Sequence, residues 1–300
     1  MFLKQALSYK KPFWFYLLGI FIVFIFNIVG QLPLTYFLMQ GGISTIDPIA
    51  LPQNLDKNVQ LLLLLIPFAI ALVGLWLVVT KLHDRPFKSI GTSRSKMDWN
   101  RFFFAFGLWS FITLLLFFID YSLSPEDYVW NFNWKPFLLL FFIGIIFIPF
   151  QTSFEEYIFR GYLMQGFAGV FRNAWMPLIL TSLIFGLLHF FNPEVDKLGN
   201  WILIYYIGTG LFLGILTLLD EGLELALGFH VANNLVMALL VTSNWTAFQT
   251  DSLFIDVSEP TLGHEMFVTL IVLYPIFTLI SAYKYNWTNS FHKLLERFLI

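Results

Sequence analysis

The chain has 300 residues, 58% of them hydrophobic and 12% charged, with 37 phenylalanines, a mean hydropathy of +0.74 and a net charge of −2. A soluble domain carries about 25% charged residues, so this supply excludes a water-exposed globular surface and points to a polytopic helical membrane protein. There are no cysteines, which excludes disulfides, thiolate zinc sites and cysteine nucleophiles.

The N-terminal segment carries Lys4, Lys10 and Lys11, the basic flank of a signal peptide. Its apolar run continues to about Met39, beyond the roughly 7–15 residues of a signal core, and reads as a retained first transmembrane helix at 12–39. Further apolar runs follow at 60–80, 102–120, 136–168, 175–191, 201–219, 222–242 and 263–283. A bilayer core of about 30 Å needs roughly 20 such residues. The pattern therefore predicts an all-α, polytopic membrane protein of about eight transmembrane helices, forming one domain over 1–300.

Basic residues set the orientation. With both termini cytoplasmic, 14 of the 17 lysines and arginines lie inside, and only Lys57, Lys135 and Lys197 fall outside. The segment 81–101 is then a basic cytoplasmic loop, suited to anionic headgroups. Trp14, Trp99, Trp130, Trp134, Trp175 and Trp201 stand near span ends, as interfacial anchors should.

Three polar patches interrupt the apolar sequence: Glu155-Glu156-x-x-x-Arg160, Phe185-x-x-x-His189 and His230-x-x-x-Asn234. Ionisable groups inside spans are expensive, and usually face a partner, a cavity or a substrate. Glu155 precedes a helical hairpin turn near Asn173 by 18 residues and His189 follows it by 16. At 1.5 Å per residue the two reach nearly one depth, and His230, early in its helix, can join them in the inner half of the membrane. Glu156 and Arg160 have the i, i+4 order that favours an ion pair, and Glu155 points about 100° away from them. His230 and Asn234 present two hydrogen-bond donors on one helix face.

These three motifs, in this order on separate helices, resemble the CAAX prenyl endopeptidase and bacteriocin-processing (CPBP, Abi) family of intramembrane glutamic endopeptidases. The flanking Phe159-Arg160-Gly161-Tyr162-Leu163 and Phe185-Gly186-Leu187-Leu188-His189 strengthen the likeness, which covers roughly 136–240. The resemblance implies an eight-helix peptidase with its catalytic helices in 136–240 and a chamber open to the cytoplasm, in the inner membrane of a bacterium. By the same likeness, Glu155 and His189 would activate the attacking water. His230 and Asn234 would stabilise the oxyanion, and Glu156 and Arg160 would support the site. No cofactor is implied. The expected partners are the bilayer and a protein or peptide substrate, possibly lipidated; no nucleic acid is expected, and oligomeric state is open.

Other readings compete. Glu155, His189 and His230 could form a His₂Glu zinc set, although no H-E-x-x-H helix occurs in the sequence. The fold could serve as a non-catalytic scaffold or immunity-type protein. A proton-coupled transporter could use the carboxylates, but no inverted repeat of broken helices supports it. His83, His264 and His292 read as solvated, and Asp220, Glu221 and Glu224 as an acidic turn complementing a helix dipole.

Overall fold

A computed structural model describes residues 2–9, 11–40, 55–263, 265–287 and 291–294. His264, Lys10 and Arg297 lie outside the described residues. Each expected apolar run forms a helix: α1 Phe13–Gln40, α2 Lys57–Leu82, α3 Trp99–Leu123, α4 Trp134–Phe171, α5 Trp175–Leu188, α6 Ile202–Asp220, α7 Glu224–Leu240 and α8 Glu265–Lys284. Six of these, α1, α2, α3, α4, α6 and α8, are long and apolar enough to cross a membrane, whereas α5 and α7 are shorter apolar helices. Asp56 starts α2 by accepting from the backbone N–H groups of Asn58 and Val59, and Asp98 starts α3 through that of Asn100. Such caps occupy donors that a helix start leaves unpaired.

Helix α7 is the most enclosed of the set and packs on α3 and α4. Gly228 makes the first contact possible, because a methyl group there would overlap the Phe102 carbonyl oxygen. Helices α5 and α6 close in the same way, with Gly186 against the Ile207 backbone. Small residues at such crossings let backbones approach where lipid offers no hydrophobic drive.

At one end of the bundle, the segment after α2 folds inward. Arg94 pairs with Asp220 (3.2 Å) and Glu224 (3.1 Å), and Arg101 pairs with Asp220 and Asp98. Asp220 and Glu224 are buried, so the acidic turn, with Glu224 in the first turn of α7 as expected, is also the core of an ion-pair knot. Glu221 accepts the Phe2 backbone N–H at 2.7 Å, which brings the N-terminal segment into the same knot. The basic segment therefore spends Arg85, Arg94 and Arg101 on internal partners and leaves Lys81, Lys88 and Lys96 outward-facing.

His83, expected to be solvated, is 1% exposed, with Nε2 2.7 Å from the Tyr162 hydroxyl. The π-helical turn Val78–Leu82 ends α2 just before it, and its ring lies 4.6 Å from that of Tyr16. Burial first, and then the Arg85 and Lys11 cations, hold the imidazole down to about 4. His292 is exposed, as expected.

The opposite end carries a feature the all-α expectation omits. Strands β1 Tyr128–Trp130, β2 Val241–Thr242 and β3 Phe254–Asp256 form a three-stranded sheet in the order β1-β3-β2. β1 runs antiparallel to β3, with Val129 opposite Ile255, and β2 runs parallel to it. The sheet ties the outflow of α7 to the connection between α3 and α4.

Two outcomes follow. Gly228→Ala should cost about 1–3 kcal/mol of stability through overpacking, whereas Gly107→Ala, with nothing within 4 Å, should be silent; thermal unfolding in detergent compares them. Because the folded chain resists the His83 proton that the unfolded chain accepts, its contribution is present above 6.5 and lost as pH falls towards about 4. His83→Gln should flatten the melting temperature across that window.

Candidate active site

The polar patches converge from α4, α5 and α7. Within α4 the backbone widens into a π-helical segment, Tyr157–Leu163, directly after the two glutamates. Such segments recur at functional sites. Arg160 lies inside this segment and is fully buried. Its Nη1 donates to Glu156 Oε1 at 2.9 Å and its Nη2 to the Gly210 carbonyl of α6 at 3.2 Å. The guanidinium also lies 4.3 Å from the centre of the Phe185 ring on α5. One cation thus joins three helices.

His230 brings in the fourth. Its Nδ1 lies 2.8 Å from Glu156 Oε1, and its Nε2 lies 3.5 Å from Glu155 Oε2. Glu156 Oε1 thus serves both Arg160 and His230. The two ring nitrogens of His230 therefore face the two neighbouring glutamates, one each.

A further chain of amides ends on Glu155. The Trp109 indole N–H donates to Asn233 Oδ1 (3.1 Å), and Asn233 Nδ2 donates to Asn234 Oδ1 (3.1 Å). Asn234 Nδ2 donates to Gln151 Oε1 (3.0 Å), and Gln151 Nε2 to Glu155 Oε1 (2.7 Å). Indole nitrogen can only donate, so Trp109 fixes the direction of every bond after it. Two rungs link the antiparallel α4 and α7, Glu155 with His230 and Gln151 with Asn234, each set one turn apart.

His189 stands at the end of α5. Its Nδ1 donates to the Phe185 carbonyl at 2.7 Å, and its ring stacks on Tyr206 with centroids 4.4 Å apart. A carbonyl only accepts, so Nδ1 carries a hydrogen and is the donor. Among the described residues, no hydrogen bond or ion pair joins His189 to Glu155. The two line a common cavity of about 1820 Å³, together with Gln151, His230 and Asn234. Sequence reasoning thus brought Glu155, Glu156, Arg160, His230 and Asn234 into one cluster and His189 to its wall. It missed Gln151, Asn233, Trp109 and Tyr206. Gln151 had a readable signal: it is a polar residue one turn before Glu155 in an apolar run.

Both members of the donor pair on α7 also have partners inside the cluster: His230 lies against the two glutamates, and Asn234 bonds Gln151 and Asn233. Among the described residues, no group of three or more His, Asp or Glu side chains is arranged to hold a metal ion; His230 Nδ1 is turned to Glu156 and His189 Nδ1 to its own helix.

The cavity lies in one half of the bundle. Its walls use the first turns of α2 and α6, the last turns of α5 and α7, and the segments 192–197 and 241–251. Exposed Asp56, Phe191, Asp196, Lys197 and Asn244 form its rim. The basic segment 81–101 and the Asp220–Glu224 knot stand at the other end. A chamber open to the cytoplasm and basic loops inside the cytoplasm are therefore mutually exclusive in this fold.

A family model described as "Type II CAAX prenyl endopeptidase Rce1-like" matches residues 130–236. The Bacillus subtilis (strain 168) protein named "Uncharacterized protein YyaK" is 31% identical over 218 residues, covering 72% of this chain and 73% of its own length. No solved structure matches the chain.

Removing the cation should expose the cost of the cluster. Arg160→Met strands Glu156 as a buried charge and should lose about 3–5 kcal/mol, while the near-isosteric Glu155→Gln should lose far less. Thermal unfolding of the two purified variants in detergent checks this; equal losses would make the whole cluster a structural knot.

Proposed function

The chain belongs to the Rce1-like family of type II CAAX prenyl endopeptidases, and from that premise we propose that it is an intramembrane endopeptidase of glutamic type. In this reading all eight helices span the bilayer as one domain, with both termini in the cytoplasm and 136–240 supplying the catalytic groups. The substrate is a peptide bond in a membrane-associated protein or small peptide, which in the family's namesake chemistry is prenylated. The observation that carries the reading is the pairing of Glu155 Oε2 with His230 Nε2 at 3.5 Å on the wall of a large cavity.

The residues divide the work as follows. Glu155, held as an acceptor by Gln151, takes the proton of a water aimed at the scissile carbonyl. His189 Nε2, with its lone pair available, helps to orient that water from the facing wall. His230 Nε2–H and the second N–H of Asn234 donate to the oxygen that gains negative charge. The proton on Glu155 then passes to the leaving amine, so that water adds across the bond and the carboxylate is regenerated. Glu156 and Arg160 position His230 and do not touch substrate. In a water-poor cavity, an oriented donor is worth far more than in solution, and losing one oxyanion donor costs about 10²–10³ in rate.

The test compares new peptide termini in membranes of cells making equal amounts of wild type or Glu155→Ala. Termini present only with wild type are expected, and Asn234→Leu should deplete them by the same order as loss of an oxyanion donor. Identical terminus profiles for wild type and Glu155→Ala would return the protein to a non-catalytic role.

A further inference from the structure

The direction of the chamber bears on what this protein can cleave, and two independent observations fix it relative to the charges. The first is position. The cavity takes its rim from 55–57, 192–197 and 241–251, and its walls from the adjoining ends of α2, α5, α6 and α7. Glu155 and His230 line it, and Arg160, one turn beyond Glu155 in α4, is fully buried. The second is charge. Lys57, Lys135 and Lys197 adjoin the rim end, whereas the segment 81–101, the Arg172 turn and Lys284 belong to the opposite end. Lysines and arginines in short loops retain the cytoplasmic side regardless of nearby carboxylates, so internal pairing of Arg94 and Arg101 does not weaken their vote.

We infer that the chamber opens on the extracytoplasmic face, and that the substrate is a peptide segment presented there: an exported peptide or the outer end of a membrane protein. This deepens the peptidase reading and rests on it for the substrate, while the orientation stands on charge and cavity position alone. A lipidated carboxyl terminus made in the cytoplasm would meet the knotted end, where Asp220, Glu224, Arg94 and Arg101 close the bundle. On the rim side the path is lined by Phe68, Phe154, Phe185, Leu188, Tyr206 and Met237. These apolar walls suit an unfolded segment whose backbone polar groups are taken up by Gln151, Asn234 and the histidines.

The absence of cysteine makes the orientation directly measurable. Single cysteines replace two exposed residues, Asp196→Cys on the rim and Lys96→Cys on the basic segment, in the full chain in its native membrane. Intact cells are treated with a membrane-impermeant maleimide, before and after permeabilisation. The expected result is that Asp196→Cys reacts in intact cells, while Lys96→Cys reacts only after permeabilisation. The reverse pattern, or equal reaction of both, would overturn the inferred direction and leave the peptidase reading untouched. With the expected labelling, Glu155-dependent termini should map to extracytoplasmic segments. Termini confined to cytoplasmic segments would overturn the substrate assignment, and a complete absence of such termini would remove the peptidase reading and its substrate while the orientation remained.

Discussion

The fully buried pair of Arg160 and Glu156 is the interaction on which the site is built. A charge moved into an apolar interior loses several kcal/mol of hydration, and the fold recovers this only by crowding partners around the guanidinium. Those partners come from different helices: Glu156 on α4, the Gly210 carbonyl on α6 and the Phe185 ring on α5. His230 on α7 then leans on the same Glu156 oxygen. The need to satisfy one cation therefore decides how four helices meet. Glu155, its neighbour on the next helical face, lines the cavity and is held there by Gln151 and His230.

Above that anchor, the amide chain from Trp109 to Glu155 acts as an orienting element. Amide side chains can flip at little cost when both ends are free to exchange roles. Here the indole N–H cannot accept, so a flip of Asn233, Asn234 or Gln151 would set donor against donor somewhere along the line. The aromatic cluster around Trp109, with Phe229, Tyr274 and Phe277, thereby reaches the Glu155 carboxylate through hydrogen-bond polarity and not through contact. Antiparallel α4 and α7 make this possible, since matched i, i+4 spacings on the two helices bring 151 opposite 234 and 155 opposite 230.

Much of this was legible in the amino-acid sequence, for identifiable reasons. Apolar runs are long and few residues break them, so the helices at 13–40, 99–123 and 202–220 were readable from hydropathy alone. The shared depth of Glu155 and His189, which line one cavity, was readable from counting residues along a hairpin, because helical rise is uniform. What escaped depends on distant partners. Asp220 and Glu224 look like no more than an acidic turn complementing a helix dipole until Arg94 and Arg101, more than a hundred residues away, fold onto them. His83 looks like a loop histidine until Tyr16 and Tyr162 close over it. The short strands carry too few residues for alternation to stand out, and Tyr128–Trp130 finds its partner only at Phe254–Asp256. Which end of the bundle the cavity opens at was not legible, because that belongs to the space between helices and no single segment encodes it.

The brevity of α5 has a consequence for the surrounding lipid. Its 14 residues extend about 21 Å at 1.5 Å per residue, well short of a hydrocarbon core of about 30 Å. Ile179, Leu183, Leu187 and Leu188 on this helix are exposed, so in the eight-span arrangement it is acyl chains, not protein, that must accommodate the shortfall. Those chains compress or splay beside α5 at an energetic penalty that grows with each ångström of mismatch. Headgroups and water are drawn inward where α5 ends, next to His189. Bilayer thickness thus becomes a mechanical variable coupled to the depth of the site, and the same chain sits differently in thin and thick membranes.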